Sequence, residues 1–190
     1  MAELKLSCQC GKVQGIAHDV SPQAGNHVIC CCDDCQTFAH ALKSATPILD
    51  EYGGTEIMQL PMSSVALSQG TEHLACLRLK PKGLYRWYAD CCDTPIGNTM
   101  HGRMPFIGII HNFIALNDKR EQILGPVLAY WLPQFASRPP PINAKHYSKA
   151  RLLWRIATKL LGWKLRGKHQ PSAFFDEKGK ARVKAKILSQ

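Results

Sequence analysis

The 190-residue chain predicts a mainly β fold with a helical C-terminal extension. Three observations carry this. Short alternating or apolar runs recur through its first part, separated by Gly and Pro turn signals, as in small packed sheets. A helical period of apolar residues appears late, beyond the run Arg138-Pro139-Pro140-Pro141. Charge changes at the same place. Residues 1–137 carry 10 Lys and Arg against 12 Asp and Glu, whereas residues 138–190 carry 14 against 2. A composition 45% hydrophobic and 20% charged excludes a disordered or collagen-like chain.

In chain order, the strand candidates are Lys12–Ala17, Thr55–Leu60, Val65–Leu67, Leu74–Leu79, Leu84–Tyr88 and Phe106–Asn112. Gly53-Gly54, Gly70, Pro81-Lys82-Gly83 and Gly102 punctuate them. Strands at this spacing suggest a small sandwich or a folded-over sheet. Cys35–Leu42 reads as a helix, with Asp33 or Asp34 as its cap. Leu116–Phe135 has helical pieces limited by Pro126 and Pro133. These elements make residues 1–137 one zinc-binding β domain, for the reasons given below.

Residues 138–190 form the extension: a stiff Pro-rich linker, a basic amphipathic helix and a tail. Ser148–Trp163 places Leu152, Leu153, Ile156, Leu160, Leu161 and Trp163 on one helical face, with Lys149, Arg155 and Lys159 between them. Phe174-Phe175 is expected to dock on the body, and the last ten basic residues to be mobile.

The nine cysteines stand at 8, 10, 30, 31, 32, 35, 76, 91 and 92. An odd number without a secretory leader argues against a disulfide framework and for a reducing, cytoplasmic location. Clustered thiols in that setting bind metal. Cys30, Cys32 and Cys35 read C-x-C-x-x-C. Zinc takes four ligands, so three thiolates leave one position open for water or a substrate thiol. Cys8 and Cys10 supply two ligands and need two more, for which Cys91 and Cys92 are the donors at hand. Cys31 is a spectator in this register, and Cys76, within a strand, is a buried apolar residue. The plainer reading is that these thiols are merely buried or redox-sensitive. His40 lies five residues beyond Cys35 as a further candidate ligand, although a helical histidine more often has a surface or core role.

These motifs resemble those of the glutathione-dependent formaldehyde-activating enzyme (GFA) family. The resemblance rests on Cys8-Gln9-Cys10-Gly11, on Cys30 to Cys35, and on Tyr88-Ala89-Asp90-Cys91-Cys92-Asp93-Thr94-Pro95-Ile96, and covers about residues 5–115. It implies a zinc-binding β-tent of small folded sheets. It implies one structural zinc on Cys8, Cys10 and Cys92, with the fourth ligand in question, and one looser zinc on Cys30, Cys32 and Cys35. It implies a carbon–sulfur lyase that joins formaldehyde to glutathione as S-hydroxymethylglutathione. Departures are visible. The first cysteine of the third motif falls on Ala89, with Cys91 as its displaced substitute, and the usual glycine after the second cysteine is Asp93.

In the enzymatic reading, a small-molecule thiol resembling glutathione binds at the open position and adds to an aldehyde. Three thiolates on one zinc leave a net charge of −1, which favours thiol over water activation. His40, His101 and His111 are candidate acids; Arg78, Lys80, Lys82, Arg86 and Arg103 are candidate partners for an anionic thiol. The alternative is a non-catalytic zinc-binding module whose basic tail meets a partner, nucleic acid or an anionic membrane surface. For the helix itself, the plainer reading is packing of its Leu/Trp face on the zinc domain or on a second subunit.

Overall fold

The computed structural model describes residues 2–44, 46–115, 119–143 and 145–188. Its strands are β1 (Ala2–Ser7), β2 (Gln14–Val20), β3 (Asn26–Cys30), β4 (Thr55–Leu60), β5 (Val65–Gln69) and β6 (Leu74–Arg78). They continue as β7 (Tyr85–Ala89), β8 (Thr94–Thr99), β9 (Ile107–Ile110), β10 (Ala129–Trp131) and β11 (Lys186–Ile187). Helices α1 (Asp33–Ala41), α2 (Arg120–Leu124) and α3 (Lys149–Leu165) interrupt them. The architecture is mainly β with a C-terminal helix, as expected.

Two sheets form, in the orders β1-β2-β5 and β10-β3-β4-β9-β8-β7-β6-β11. Period-two alternation on the large sheet divides the core into two clusters. Met58, Leu60, Ile107, Ile109, Trp87 and Ala89 face one side, where Leu4, Leu6, Val13 and Ala17 close over them. Ile57, Ile110, Tyr88 and Leu77 face the other, under Phe38 and Ala39 of α1 and Leu152 of α3. Phe174 and Phe175 dock as expected, fully buried in the first cluster.

Six strands lie where alternation predicts them, Thr55–Leu60 with the same bounds. Five others escaped that reading. In β3 and β8 nearly every residue is buried, so neither alternates. β8 also carries Pro95 and Gly97, and its ladder slips between Trp87 and Tyr88 of β7 to accommodate them. β10 and β11 are short parallel edge strands set by their neighbours. The expected helical stretch Leu116–Phe135 begins at 116–118, outside the described residues; within it α2 is helical but Ala129–Trp131 is a strand. The last ten residues are not a free tail in their described part, because β11 pairs with β6.

α1 starts earlier than predicted. Its N-cap is Cys32, with Asp33 and Asp34 in the first turn where carboxylates favour the helix dipole. α3 is capped by Ser148, whose Oγ accepts from the Arg151 N–H at 3.3 Å. Its predicted apolar face is split. Leu152 and Trp163 are buried, but Leu153 and Leu161 are exposed, together with Trp154 and Leu165. Beside the buried positions, half-buried Arg155 donates to Asn26 and to the Pro22 and Gly25 carbonyls.

Candidate metal centres

Two turns build the first cysteine group. After β1, the chain folds back so that Gly11 N–H reaches the Cys8 carbonyl at 2.9 Å and Val13 N–H reaches Cys8 Sγ at 3.2 Å. Gly11 adopts φ +75°, which its lack of a Cβ allows. The β7–β8 turn carries Cys91 and Cys92, and Asp93 closes it at φ 53°. That is the left-handed region a glycine would occupy, which Asp tolerates better than most residues. Asp93 therefore holds the turn without a glycine at this position.

Cys8, Cys10, Cys91 and Cys92 converge, their sulfurs all within 4.8 Å of one another. Sγ of Cys8 lies 3.6 Å from Cys10 and 3.9 Å from Cys91; Cys10 lies 3.3 Å from Cys91, and Cys91 3.8 Å from Cys92. Four sulfurs held tetrahedrally at about 2.3 Å from an ion stand about 3.8 Å apart, so the donor set fits a tetrahedral thiophilic metal. Cys91, adjacent to Cys92 in sequence, reaches the cluster beside it. At Cys92 burial pushes the thiol up, but the Thr94 hydroxyl and hydrogen bonds from Cys10 outweigh it and bring it down to about 6. Burial raises Cys8 and Cys91.

The second group sits where β3 runs into α1. Cys30 ends the strand, Cys32 caps the helix, and Cys35 lies in the first turn, its N–H bonded to the Cys32 carbonyl at 2.9 Å. Their sulfurs also lie within 4.8 Å of one another, with Cys30 and Cys32 at 3.4 Å. Hydrogen bonds from Cys30 and Cys35 hold Cys32 down to about 2, whereas the same hydrogen bonding raises Cys30. Cys31 is fully buried outside the group, and burial pushes it up to about 11. Cys76 is 2% exposed, a core residue as expected.

A cavity of about 200 Å³ adjoins this group, lined by all three cysteines. Its floor is a ladder row across four strands. Arg86 pairs with Asn98, Asn98 with Gly108 and Gly108 with Gln59. Arg86 is 1% exposed, and its guanidinium lies 3.9 Å from Cys35 Sγ, 3.3 Å from Asn98 Oδ1 and 3.5 Å from Asp34 Oδ2. Trp131 of β10 and Leu152 of α3 complete the wall, so the C-terminal region helps to shape the site.

The candidate acids lie elsewhere. His40 and His101 are exposed, and His111 stands half-buried near Glu56 and Arg120, with desolvation lowering its affinity for a proton. Among the described residues, no histidine lines the cavity. Of the five candidate cationic partners only Arg86 does; Arg78 stacks on Tyr85 and donates to the Gly83 carbonyl. Asp34 and Asn98 were not foreseen as site residues. Asp34 lies inside the C-x-x-C segment, a signal that was available, whereas Asn98 emerges only from strand register.

Among the described residues, no helix is long and apolar enough to cross a membrane. The model of a family of unknown function, DUF6151, matches residues 2–186. No curated protein matches the chain. A crystal structure of a Rhodobacter sphaeroides protein aligns at 15% identity with a TM-score of 0.46, covering 67% of this chain and 99% of that one.

Proposed function

The chain belongs to the family of unknown function DUF6151, and we propose that it is a two-zinc protein of β-tent type, with one closed structural site and one open thiol-binding site. The observation that carries this reading is the difference between the two cysteine groups. Four thiols enclose a point in one, whereas three thiols face a cavity in the other. The motif resemblance to GFA enzymes, which is independent of the cavity, supports carbon–sulfur lyase chemistry at the open site.

Cys30, Cys32 and Cys35 would hold zinc with one position free, and the ion would supply a site at which an entering thiol loses its proton more easily. The residues around it divide the remaining work. Cys30, Cys32 and Cys35 supply the ligand set. Arg86 offsets their negative charge from the sheet floor, and Asn98 orients Arg86. The reaction is an addition in which the thiol sulfur bonds to the carbonyl carbon and the carbonyl oxygen takes up the proton the thiol gives. Asp34, 48% exposed at the cavity edge, is the group placed to carry that proton.

Metal analysis of the protein and of Cys32→Ser tests the reading. Two zincs per chain, falling to one in a folded variant, are expected. One zinc that persists in Cys32→Ser would leave a non-catalytic zinc module.

The exposed face of α3 favours a second activity, docking on an anionic membrane surface. Leu153, Trp154, Leu161 and Leu165 lie exposed on it. No Asp or Glu occurs between Glu121 and Asp176, a stretch that holds nine Lys and Arg. An apolar face with a basic rim suits lipid better than nucleic acid, because bare leucines gain nothing from phosphate alone. Binding to vesicles containing phosphatidylserine, weakened by salt and by Trp154→Ala, is expected. Equal binding to neutral vesicles would count against it.

A further inference from the structure

We infer that the open cysteine site selects a small uncharged thiol with an apolar body, rather than a tripeptide or other anionic thiol. This rests on the proposal that Cys30, Cys32 and Cys35 hold a metal with one free position. Three features of the cavity carry it.

The first is size. A site for a drug-sized ligand spans about 300–1,000 Å³, and this cavity has about 200 Å³. Gly108 sits in its floor, where a Cβ would meet Ile57 Cγ2 at 2.8 Å. One methyl group there would therefore already displace a wall residue.

The second is lining. Val28, Ile57, Leu84, Phe106, Trp131 and Leu152 present apolar surface, which rewards a hydrocarbon body. The polar side chains are few, and the amide oxygens of two of them are already taken. Gln59 Oε1 accepts from Asn26 at 3.0 Å, and Asn98 Oδ1 accepts from Arg86.

The third is charge. Three thiolates around a divalent ion leave −1, and Asp34 cancels Arg86. Arg86 is the single Lys, Arg or His in the lining among the described residues, and its donors are directed at Asp34, Asn98 and Cys35. A carboxylate on the ligand would enter an apolar space of negative sign with no free cation to meet it, which is costly.

The experiment is a titration of the full chain loaded with Co²⁺, reading the sulfur-to-cobalt absorption bands. Ethanethiol, 3-mercaptopropionate and glutathione are the probes, with Cys32→Ser identifying which bands belong to the open site. Ethanethiol is expected to bind at least tenfold more tightly than either anionic thiol. Gly108→Ala should weaken ethanethiol several-fold while leaving the thiol-free spectrum unchanged. If Gly108→Ala fails to fold, Ile57→Val serves in its place and should strengthen binding of the bulkier butanethiol. Glutathione binding as tightly as ethanethiol would overturn the selectivity while leaving the metal site standing. Absence of any band that Cys32→Ser removes would overturn the metal site itself.

Discussion

The Arg86 guanidinium stands 3.9 Å from the Cys35 sulfur, joining β7 to α1 through a contact that solvent scarcely reaches. Burying a cation demands a compensating anion, and here Asp34 at 3.5 Å and the cysteine group share that part. Removing the cation leaves the thiolates without their nearest positive charge. Arg86→Met is expected to lose metal from the Cys30–Cys35 group about 10- to 100-fold more readily in a chelator competition, as for other residues that support ligands. Arg86→Lys, which keeps the charge but not the planar fork, should fall between. Unchanged competition in a folded Arg86→Met would show that the contact is structural only.

Asp93 closes the β7–β8 turn at φ 53°. Left-handed backbone costs an ordinary residue about 1 kcal/mol, less for Asp and nothing comparable for Gly. Asp93→Gly should keep metal content and leave stability equal or higher by up to about 1 kcal/mol. Asp93→Val should lose about 2 kcal/mol and weaken metal retention by Cys91 and Cys92, because a β-branched residue resists this conformation. Urea unfolding of the two variants side by side checks the sign.

These two cases mark what sequence could reveal. Cys30, Cys32 and Cys35 were legible because a helix start brings ligands two and three residues apart together without help from the rest of the chain. Cys91 was legible only as a donor within reach of Cys8 and Cys10; its approach to Cys10 is made by the β7–β8 turn, which Asp93 closes. The row Arg86–Asn98–Gly108–Gln59 was hidden, since it needs the register of four strands at once, and β8 disguises itself with Pro95 and Gly97. Alternation found β4, which changes face residue by residue. It missed β3, which is buried on both sides. On α3, periodicity found the helix but could not tell Leu152, over the cavity, from Leu161, in solvent.

The four-cysteine group brings the turn after β1 to the β7–β8 turn, with Cys10 and Cys91 separated by 81 positions in sequence. A metal there would bind the folded chain, with its four thiols preassembled, more tightly than the unfolded one, and that difference would appear as stability. Stripping metal with a chelator should lower the thermal midpoint by about 10 °C or more, at about 2–4 °C per kcal/mol for a chain of this size. Cys10→Ser should already show most of that loss and respond little to further chelation. A chelator effect in Cys10→Ser as large as in the parent would assign the stabilisation to the other group.

Phe174 belongs to the main core despite lying beyond the basic helix. It is fully buried, 5.0 Å from Trp87 between ring centroids, and Phe175 meets Trp87 edge-on at 5.6 Å. The Ser172 hydroxyl accepts both their N–H groups at 3.1 Å. Phe174→Ala should cost about 3–5 kcal/mol, as expected of a large aromatic removed from a packed interior. A loss below about 1 kcal/mol in denaturant unfolding would mean that residues 172–188 dock weakly and fold apart from the β sheets.

Glu56 supplies a pH-dependent part of the stability. Burial alone would raise its pKa, but a hydrogen bond from His27 at 3.0 Å and the Arg120 guanidinium at 2.7 Å reverse this, and the carboxyl falls to about 2. The folded pKa lies below the unfolded value of 4.5. The folded state therefore gains stability from this group above pH 4.5 and surrenders it as pH falls towards 2. At neutral pH the contribution is on the order of 2–3 kcal/mol. Glu56→Gln should lower stability by about that amount at pH 7, and the gap from the parent should narrow steadily below pH 4.5 and close near pH 2. Acid also strips metal from thiolates, so both proteins are best compared after metal removal, where only the His27–Glu56–Arg120 cluster distinguishes them. A gap that stayed constant between pH 7 and pH 3 would assign the effect to lost packing at Glu56 rather than to its charge.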